Sequence, residues 1–283
     1  MIDETVAEIR ELRTHSSSEV AVNAARALSA LFDREFATVE EYERSVERNV
    51  NALRGANPSH ASLQTSQREI LDRVQTANVE TVDAAKAETE AAIEDVIDRV
   101  QTSKRKAAAN ARALLSDGTT ILTHDYSTTV LEAIETAASE GDHLTVYVTE
   151  ARPRYLGRRT ARTLAAIDRV DVHLCVDSAA GHYLPECDRV LVGMDCIVDG
   201  TLYNRVGTFT IAATAAEVGV PMTVVGSSAK IVKDRLHFEI DHRPESEVMR
   251  EPAVGFTVEN PAYDATPIEL LDGIVTDDGP YGL

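Results

Sequence analysis

Residues 190–230 read VLVGMDCIVDGTLYNRVGTFTIAATAAEVGVPMTVVGSSAK. An apolar strand, Val190 to Val192, ends at Gly193 and an acid, Asp195. A turn at Asp199-Gly200 leads to a polar loop, Asn204-Arg205-Val206-Gly207-Thr208. A helix of small residues follows, from Phe209 to Val218. A second apolar strand, Pro221 to Val225, closes with Gly226-Ser227-Ser228. Strand, helix and strand in this order imply a parallel crossover unit. Ligands of open α/β sheets bind outside the carboxyl ends of the strands. A carboxylate, an amide, a guanidinium, hydroxyls and the ammonium of Lys230 all fall at such places. Small residues leading into a helix N-terminus also suit an anion such as a phosphate.

The same alternation extends on the N-terminal side. β-branched runs at 119–123, 144–149, 172–176 and 189–192 alternate with helical patterns at 128–138, 160–167 and 179–185. Before Ser116-Asp117-Gly118 the period is helical. Val6, Ile9 and Leu12 share one helical face, and Ser16-Ser17-Ser18-Glu19 opens a segment to Phe32. Thr38 is placed to cap 40–54, and Gly55-Ala56-Asn57-Pro58-Ser59 breaks it. Residues 62–115 have almost no breakers and read as one long helix or a helical hairpin. The expected architecture is α/β: an N-terminal helical domain, 1–115, followed by a Rossmann-like parallel-sheet domain, 116–283.

The chain has 283 residues, and 43% hydrophobic content can supply a core. No apolar run reaches the roughly 18 residues that a membrane span needs. The N-terminal MIDETVAEIRELR is acidic and amphipathic, unlike a signal peptide. These features point to a cytoplasmic protein. Its 47 acidic and 28 basic residues give a net charge of −19, and only five of the basic residues are lysines. That balance fits a high-salt cytoplasm and speaks against direct nucleic-acid binding, which needs basic surface. Cys175, Cys187 and Cys196 lack metal-type spacing and read as free thiols. No metal-ligand set is visible, and no G-x-G-x-x-G follows a strand, which disfavours a nicotinamide dehydrogenase. No cofactor is expected.

Four motifs lie in order along the second half of the chain. They are Thr123-His124-Asp125-Tyr126-Ser127; Glu150-Ala151-Arg152-Pro153 with Gly157; Gly193-Met194-Asp195-Cys196-Ile197 with Asn204-Arg205-Val206-Gly207-Thr208 and Ser227-Ser228-Ala229-Lys230; and Asn260-Pro261-Ala262-Tyr263-Asp264-Ala265-Thr266-Pro267 with Gly273-Ile274-Val275-Thr276. Together they resemble the family that holds the alpha, beta and delta subunits of translation initiation factor 2B. That family also includes ribose-1,5-bisphosphate isomerase and methylthioribose-1-phosphate isomerase.

The resemblance implies a sugar-phosphate site. Asp195 matches the family's catalytic aspartate. Asp125 stands where its isomerases carry a cysteine, thought to be the other half of the acid/base pair. Arg152 matches an arginine that approaches the phosphate, while Leu156 replaces a glutamine. Asn204 and Lys230 match family residues, and Arg205 replaces a lysine. Thr123, Ser127 and Gly157 complete the expected ligand-binding set. Asp264 and Thr266 are expected to fix a turn near a dimer contact. The resemblance further implies a homodimer or homohexamer, a phosphorylated ribose or nucleotide ligand, and translation initiation factor 2 as a possible partner.

Two readings stay open. The missing thiol, together with Arg13-Thr14-His15-Ser16-Ser17-Ser18, resembles the regulatory alpha subunit and favours a ligand-binding protein of doubtful isomerase activity. The alternative is a ribose-1,5-bisphosphate isomerase, or a related aldose–ketose isomerase, using Asp195 and Asp125. An unperturbed carboxylate titrates near 4, so Asp125 needs burial or a like charge nearby to exchange protons near neutrality.

Overall fold

A computed structural model describes residues 2–11, 16–232, 238, 240–251 and 254–282. Arg13, Thr14 and His15, part of the motif that favoured the regulatory reading, lie outside the described residues. The chain divides into two compact units, Met1–Ser103 and Lys104–Leu283.

The first unit is helical: α1 (Ile2–Arg10), α2 (Ser17–Ala27), α3 (Val39–Ala56), α4 (Ala61–Thr76) and the N-terminal part of α5 (Val82–Arg112). Thr38 caps α3, its hydroxyl accepting the Glu41 N–H at 3.2 Å. Residues 62–115 form a hairpin rather than one helix. The chain turns at Asn78, left-handed at φ 47°. Arg73 pairs across to Glu88 and Asp95, and Arg99 to Glu69. Apolar residues at helical spacing meet inside: Tyr42, Val46, Val50 and Leu53 of α3 against Leu63, Ile70 and Val74 of α4 and Ile93 and Val96 of α5. Tyr42 is completely buried, and its hydroxyl donates to Thr89 Oγ1 at 2.9 Å, which avoids an unpaired buried polar group.

α5 runs past the division between the units. Its Ala107, Ala108 and Ala111 pack in a core of the second unit. The sequence reading set the boundary at the break after Leu115, because a helix interior carries no signal of where its packing partners change.

The second unit is a parallel α/β domain. In chain order it holds β1 (Thr120–Thr123), α6 (Thr128–Ser139), β2 (Leu144–Thr149), α7 (Leu156–Leu164), β3 (Val170–Cys175), α8 (Ala180–Tyr183), β4 (Arg189–Gly193), β5 (Cys196–Val198), β6 (Thr201–Arg205), α9 (Thr208–Val218), β7 (Met222–Val225), β8 (Ile231–Val232), β9 (Tyr263–Pro267), β10 (Gly273–Thr276) and β11 (Gly279–Tyr281). The main sheet runs β11-β10-β7-β4-β1-β2-β3. All neighbours are parallel except the β10–β11 pair. From β1 the chain builds outward through β2 and β3, then crosses back to β4 and builds the other way. The order therefore reverses between β1 and β4, and the crevice at a reversal is where such sheets bind ligands.

A second sheet, β8-β5-β6-β9, sits beyond β4. It corrects two expectations. Asn204 and Arg205 are strand residues, not loop: β6 pairs antiparallel with β5 on one side and with β9 on the other. Asp264 and Thr266 likewise lie within β9 rather than in a turn. Short strands broken by polar residues lose their period-2 signature, and their pairing over some 60 positions is not a local property.

Candidate active site

The site forms at the β1–β4 reversal. Asp125 lies two residues beyond β1, and Asp195 two beyond β4. Arg205 at the end of β6 reaches both: its Nε is 3.4 Å from Asp125 Oδ2 and 3.5 Å from Asp195 Oδ2. The guanidinium also lies over the Tyr263 ring, 4.8 Å from its centroid. Asp125 is 12% exposed at the side chain, Arg205 14% and Asp195 24%.

Burial pushes the Asp125 carboxyl above the usual carboxylate range; Arg205 and His124 oppose this, and Asp195 adds to it. Burial works against the Arg205 charge, but the Asp195 and Asp125 carboxylates beside it outweigh that and hold the guanidinium above its ordinary value. Burial also pushes the Tyr263 phenol up to about 12. The ring therefore meets Arg205 as a neutral π face.

Local structure explains the placement. Asp125 is left-handed at φ 62°, and Thr160 Oγ1 donates to its carbonyl at 2.6 Å. Ala151 and Tyr155, on the facing loop, are also left-handed, at φ 56° and 59°. Asp177 holds that loop by accepting the N–H groups of Ala151 and Arg152, each at 2.7 Å. Left-handed backbone costs a non-glycine residue about 1–2 kcal/mol, so these bonds must over-determine it. Asp264 accepts the N–H groups of Gly207 at 2.7 Å and Phe209 at 3.0 Å, which sets the start of α9 behind Arg205.

A cavity opens on Asp125 and on Arg205, which joins Asp125 to Asp195. Its lining includes Asp125, Arg152, Arg154, Arg205, Arg243 and Glu247. Four arginines thus converge in a chain of net charge −19. Arg152 donates to the Tyr155 hydroxyl at 2.7 Å and the Val248 carbonyl at 3.2 Å. Glu247 balances part of the charge, lying 3.3 Å from Arg243 and 4.0 Å from Arg154. Such a surface suits a phosphate ester.

The structure brings Asp125, Asp195, Arg205 and Arg152 to one place. Of the other expected residues, Thr123, Gly157, Asn204 and Lys230 are buried and Ser127 is half-buried. Thr123 is buried at the end of β1. Ser127 caps α6, accepting the Val130 N–H at 3.3 Å. Asn204 donates to Thr208 Oγ1 at 3.1 Å. Lys230 is buried, its charge disfavoured by burial, and donates to the Met194 carbonyl at 2.6 Å, next to Asp195. Gly157 is a packing residue, since a Cβ there would run into the Thr149 carbonyl. Cys196, beside Asp195, is completely buried, and burial pushes its thiol up to about 12.

Sequence reasoning missed Arg243, Glu247 and the ring of Tyr263, and left Arg154 between a surface charge and part of an anion-binding cluster. Tyr263 stood in a quoted motif. Arg243 and Glu247 lie in a segment whose arginines and acids look like any charged loop. Among the described residues no group of three His, Cys, Asp or Glu side chains is gathered for a metal ion. No helix there is long and apolar enough to cross a membrane.

A parallel sheet reversing at two carboxylates that share a guanidinium, preceded in the chain by a helical N-terminal region, defines a class, and the comparisons agree with it. The Initiation factor 2 subunit family matches residues 13–281, and the chain belongs to that family. The ribose 1,5-bisphosphate isomerase of Haloterrigena turkmenica is 34% identical, over 98% of this chain and 89% of its own. The ribose 1,5-bisphosphate isomerase of Haloferax volcanii is 32% identical, over 98% of this chain and 87% of its own. Among solved structures, the translation initiation factor eIF-2B of Pyrococcus horikoshii OT3 matches with a TM-score of 0.84 at 25% identity, covering 99% of this chain and 96% of that one. Of the two functional readings of the sequence, these relatives support the isomerase alternative better than the non-isomerising binding protein.

Proposed function

We propose that this protein is an aldose–ketose isomerase acting on a ribose phosphate, with ribose 1,5-bisphosphate the first candidate. The observation that carries the reading is the Asp125–Arg205–Asp195 group at the sheet reversal. In ribose 1,5-bisphosphate C1 carries the ring oxygen and the phosphate ester. Forming the ketose therefore removes the C2 proton and breaks the bond from C1 to the ring oxygen as that oxygen is protonated. A proton then returns to C1 as the C2 hydroxyl loses one to become the carbonyl. This needs a base and an acid a few ångströms apart. Asp195, the more exposed carboxylate, takes the proton from carbon. Asp125, kept protonated to higher pH by burial, delivers its proton to the ring oxygen as the bond to C1 breaks, and recovers one from the C2 hydroxyl as the carbonyl forms. A carboxyl held protonated by burial leaves the part of the base to its neighbour. Arg205 stabilises the anionic intermediate between them, and Arg152, with the arginines beside it, takes phosphate. Asp125 thus does the work of the thiol in related isomerases.

The test is turnover. Wild-type protein in molar KCl should convert ribose 1,5-bisphosphate to the ketose bisphosphate. Ribose phosphates should also raise its melting temperature, by an amount equivalent to about 2.7 kcal/mol at a hundredfold excess over Kd, while unphosphorylated ribose does not. Binding without turnover, with activity appearing only in Asp125→Cys, would overturn the reading in favour of a regulatory ligand-binding protein. The molar salt follows from our reading of the acidic composition as an adaptation to a high-salt cytoplasm.

A further inference from the structure

His124 lies between β1 and Asp125, and its side chain is buried. Nδ1 is 2.6 Å from Thr149 Oγ1 at the end of β2. Nε2 is 2.9 Å from the carbonyl oxygen of Val206, the residue after Arg205. A carbonyl only accepts, so Nε2 carries a proton and donates to Val206, while Nδ1 meets the Thr149 hydroxyl. The ring also rests on Gly207, where an added Cβ would lie 3.0 Å from Cε1 and from Nε2. Gly207 is left-handed at φ 108°. One side chain therefore touches the turn that carries Asp125, the end of β2, and the loop that follows Arg205. Other anchors hold each loop to neighbours of its own: Thr160 holds Asp125, and Asp264 holds Gly207. Among the described residues, His124 is the hydrogen-bonded tie between the Asp125 turn and the Arg205 loop, apart from the ion pair itself.

We infer that His124 is a positioning residue, which through its Nε2–H ties the Asp125 turn to the Arg205 loop and sets the separation at which the carboxyl and the guanidinium meet. The inference rests on the site of the proposed isomerase, but its first readout needs no turnover. Phenylalanine fills the ring's volume and makes neither bond, whereas glutamine can donate and accept. Thr149→Val removes the hydroxyl at nearly constant shape.

The test follows the Asp125 carboxyl by NMR in protein with ¹³C-labelled aspartate, the signal assigned by its loss in Asp125→Asn. The charged and titratable groups around this carboxyl are Arg205, His124, Asp195, Arg154 and Tyr263. In His124→Phe the Asp125 titration should move up, because the guanidinium that opposes the effect of burial loses its set distance and the histidine's own opposition is gone. Thr149→Val should move it the same way by less, and His124→Gln, which can make both bonds, should hold it nearer wild type than His124→Phe does. Asp188 and Asp272, which accept backbone N–H groups elsewhere in the sheet, should not move. Imidazole ¹⁵N spectra should show a proton on Nε2. Under turnover, His124→Phe should lower kcat about 10–100-fold with KM changed less than about threefold, the pattern of an interaction realised in the transition state. An Asp125 titration unmoved in both His124→Phe and Thr149→Val, or an Nδ1–H tautomer in the wild type, would overturn the inference. A merely structural histidine would lower the melting temperature and leave that titration in place. A silent wild-type enzyme would count against the isomerase alone, since the NMR readouts stand without it.

Discussion

At Asp125, burial and Arg205 pull in opposite directions and burial prevails. The folded protein therefore keeps a proton that the unfolded chain has already lost over the interval above the ordinary carboxylate range. Stability must fall as pH rises through that interval. Asp125→Asn has no such proton, so its melting temperature minus that of wild type should grow more positive from about pH 4 to pH 8. A difference that is flat or shrinks with pH would show that Asp125 is not held protonated. The same proton predicts an alkaline limb in kcat/KM at the folded-state value of Asp125. Asp125→Cys should move that limb upward, towards the range of a thiol near 8.5. Asp125 and Asp195 were legible in the sequence because each sits a fixed step beyond an apolar strand, in a motif. The role of Arg205 was not, since its contact with both acids depends on the pairing of β6 with β5 and β9. Asn204 and Lys230 were legible as positions but not as buried groups. A buried amide or ammonium bonded to its own framework looks, in one dimension, like one that meets a ligand.

At the level of elements, the strand–helix alternation of the main sheet was legible because apolar strands and small-residue helices carry different periods. The β5–β6–β9 ribbon was not, and it delivers Arg205. Its link to α9 is Asp264, which accepts two N–H groups at the helix start. Asp264→Ala should cost about 0.5–2 kcal/mol, the usual loss for a helix cap, and should raise KM for the ribose phosphate as Arg205 loses its support. Chemical denaturation with ligand titration would check both; normal stability and normal affinity would contradict the role. Gly157→Ala tests the facing loop. Its Cβ would meet the Thr149 carbonyl at the first turn of α7, so this variant should be much less stable than Gly255→Ala, whose Cβ would meet nothing within 4 Å. Gly255 is itself left-handed at φ 78°, so the comparison isolates the close approach from the cost of backbone conformation and is conservative.

Over the whole molecule, the net charge is −19. Repulsion among exposed carboxylates acts over a Debye length of about 10 Å at 0.1 M salt and about 3 Å at 1 M. The melting temperature should therefore rise between about 0.1 and 2 M KCl, and most of the gain should appear by about 1 M, where screening of long-range repulsion is nearly complete. A melting temperature independent of KCl would contradict the high-salt reading. The composition made that charge legible, whereas the division at Ser103 was not, because it falls inside α5. The dimer or hexamer that we propose from the family resemblance is tested by light scattering in the same molar salt, and a monomer alone would contradict it.

The central claim is that Asp125 and Asp195 act as one acid/base unit. The measurement that tests it most directly is kcat/KM for ribose 1,5-bisphosphate in wild type, Asp125→Asn, Asp195→Asn and the double variant, all in molar KCl. The account predicts that each single change costs about 10²–10⁴-fold. It also predicts that the double change costs little more than the worse single one, as for groups that act as a unit. Full activity in Asp125→Asn, or losses that multiply in the double variant, would contradict it.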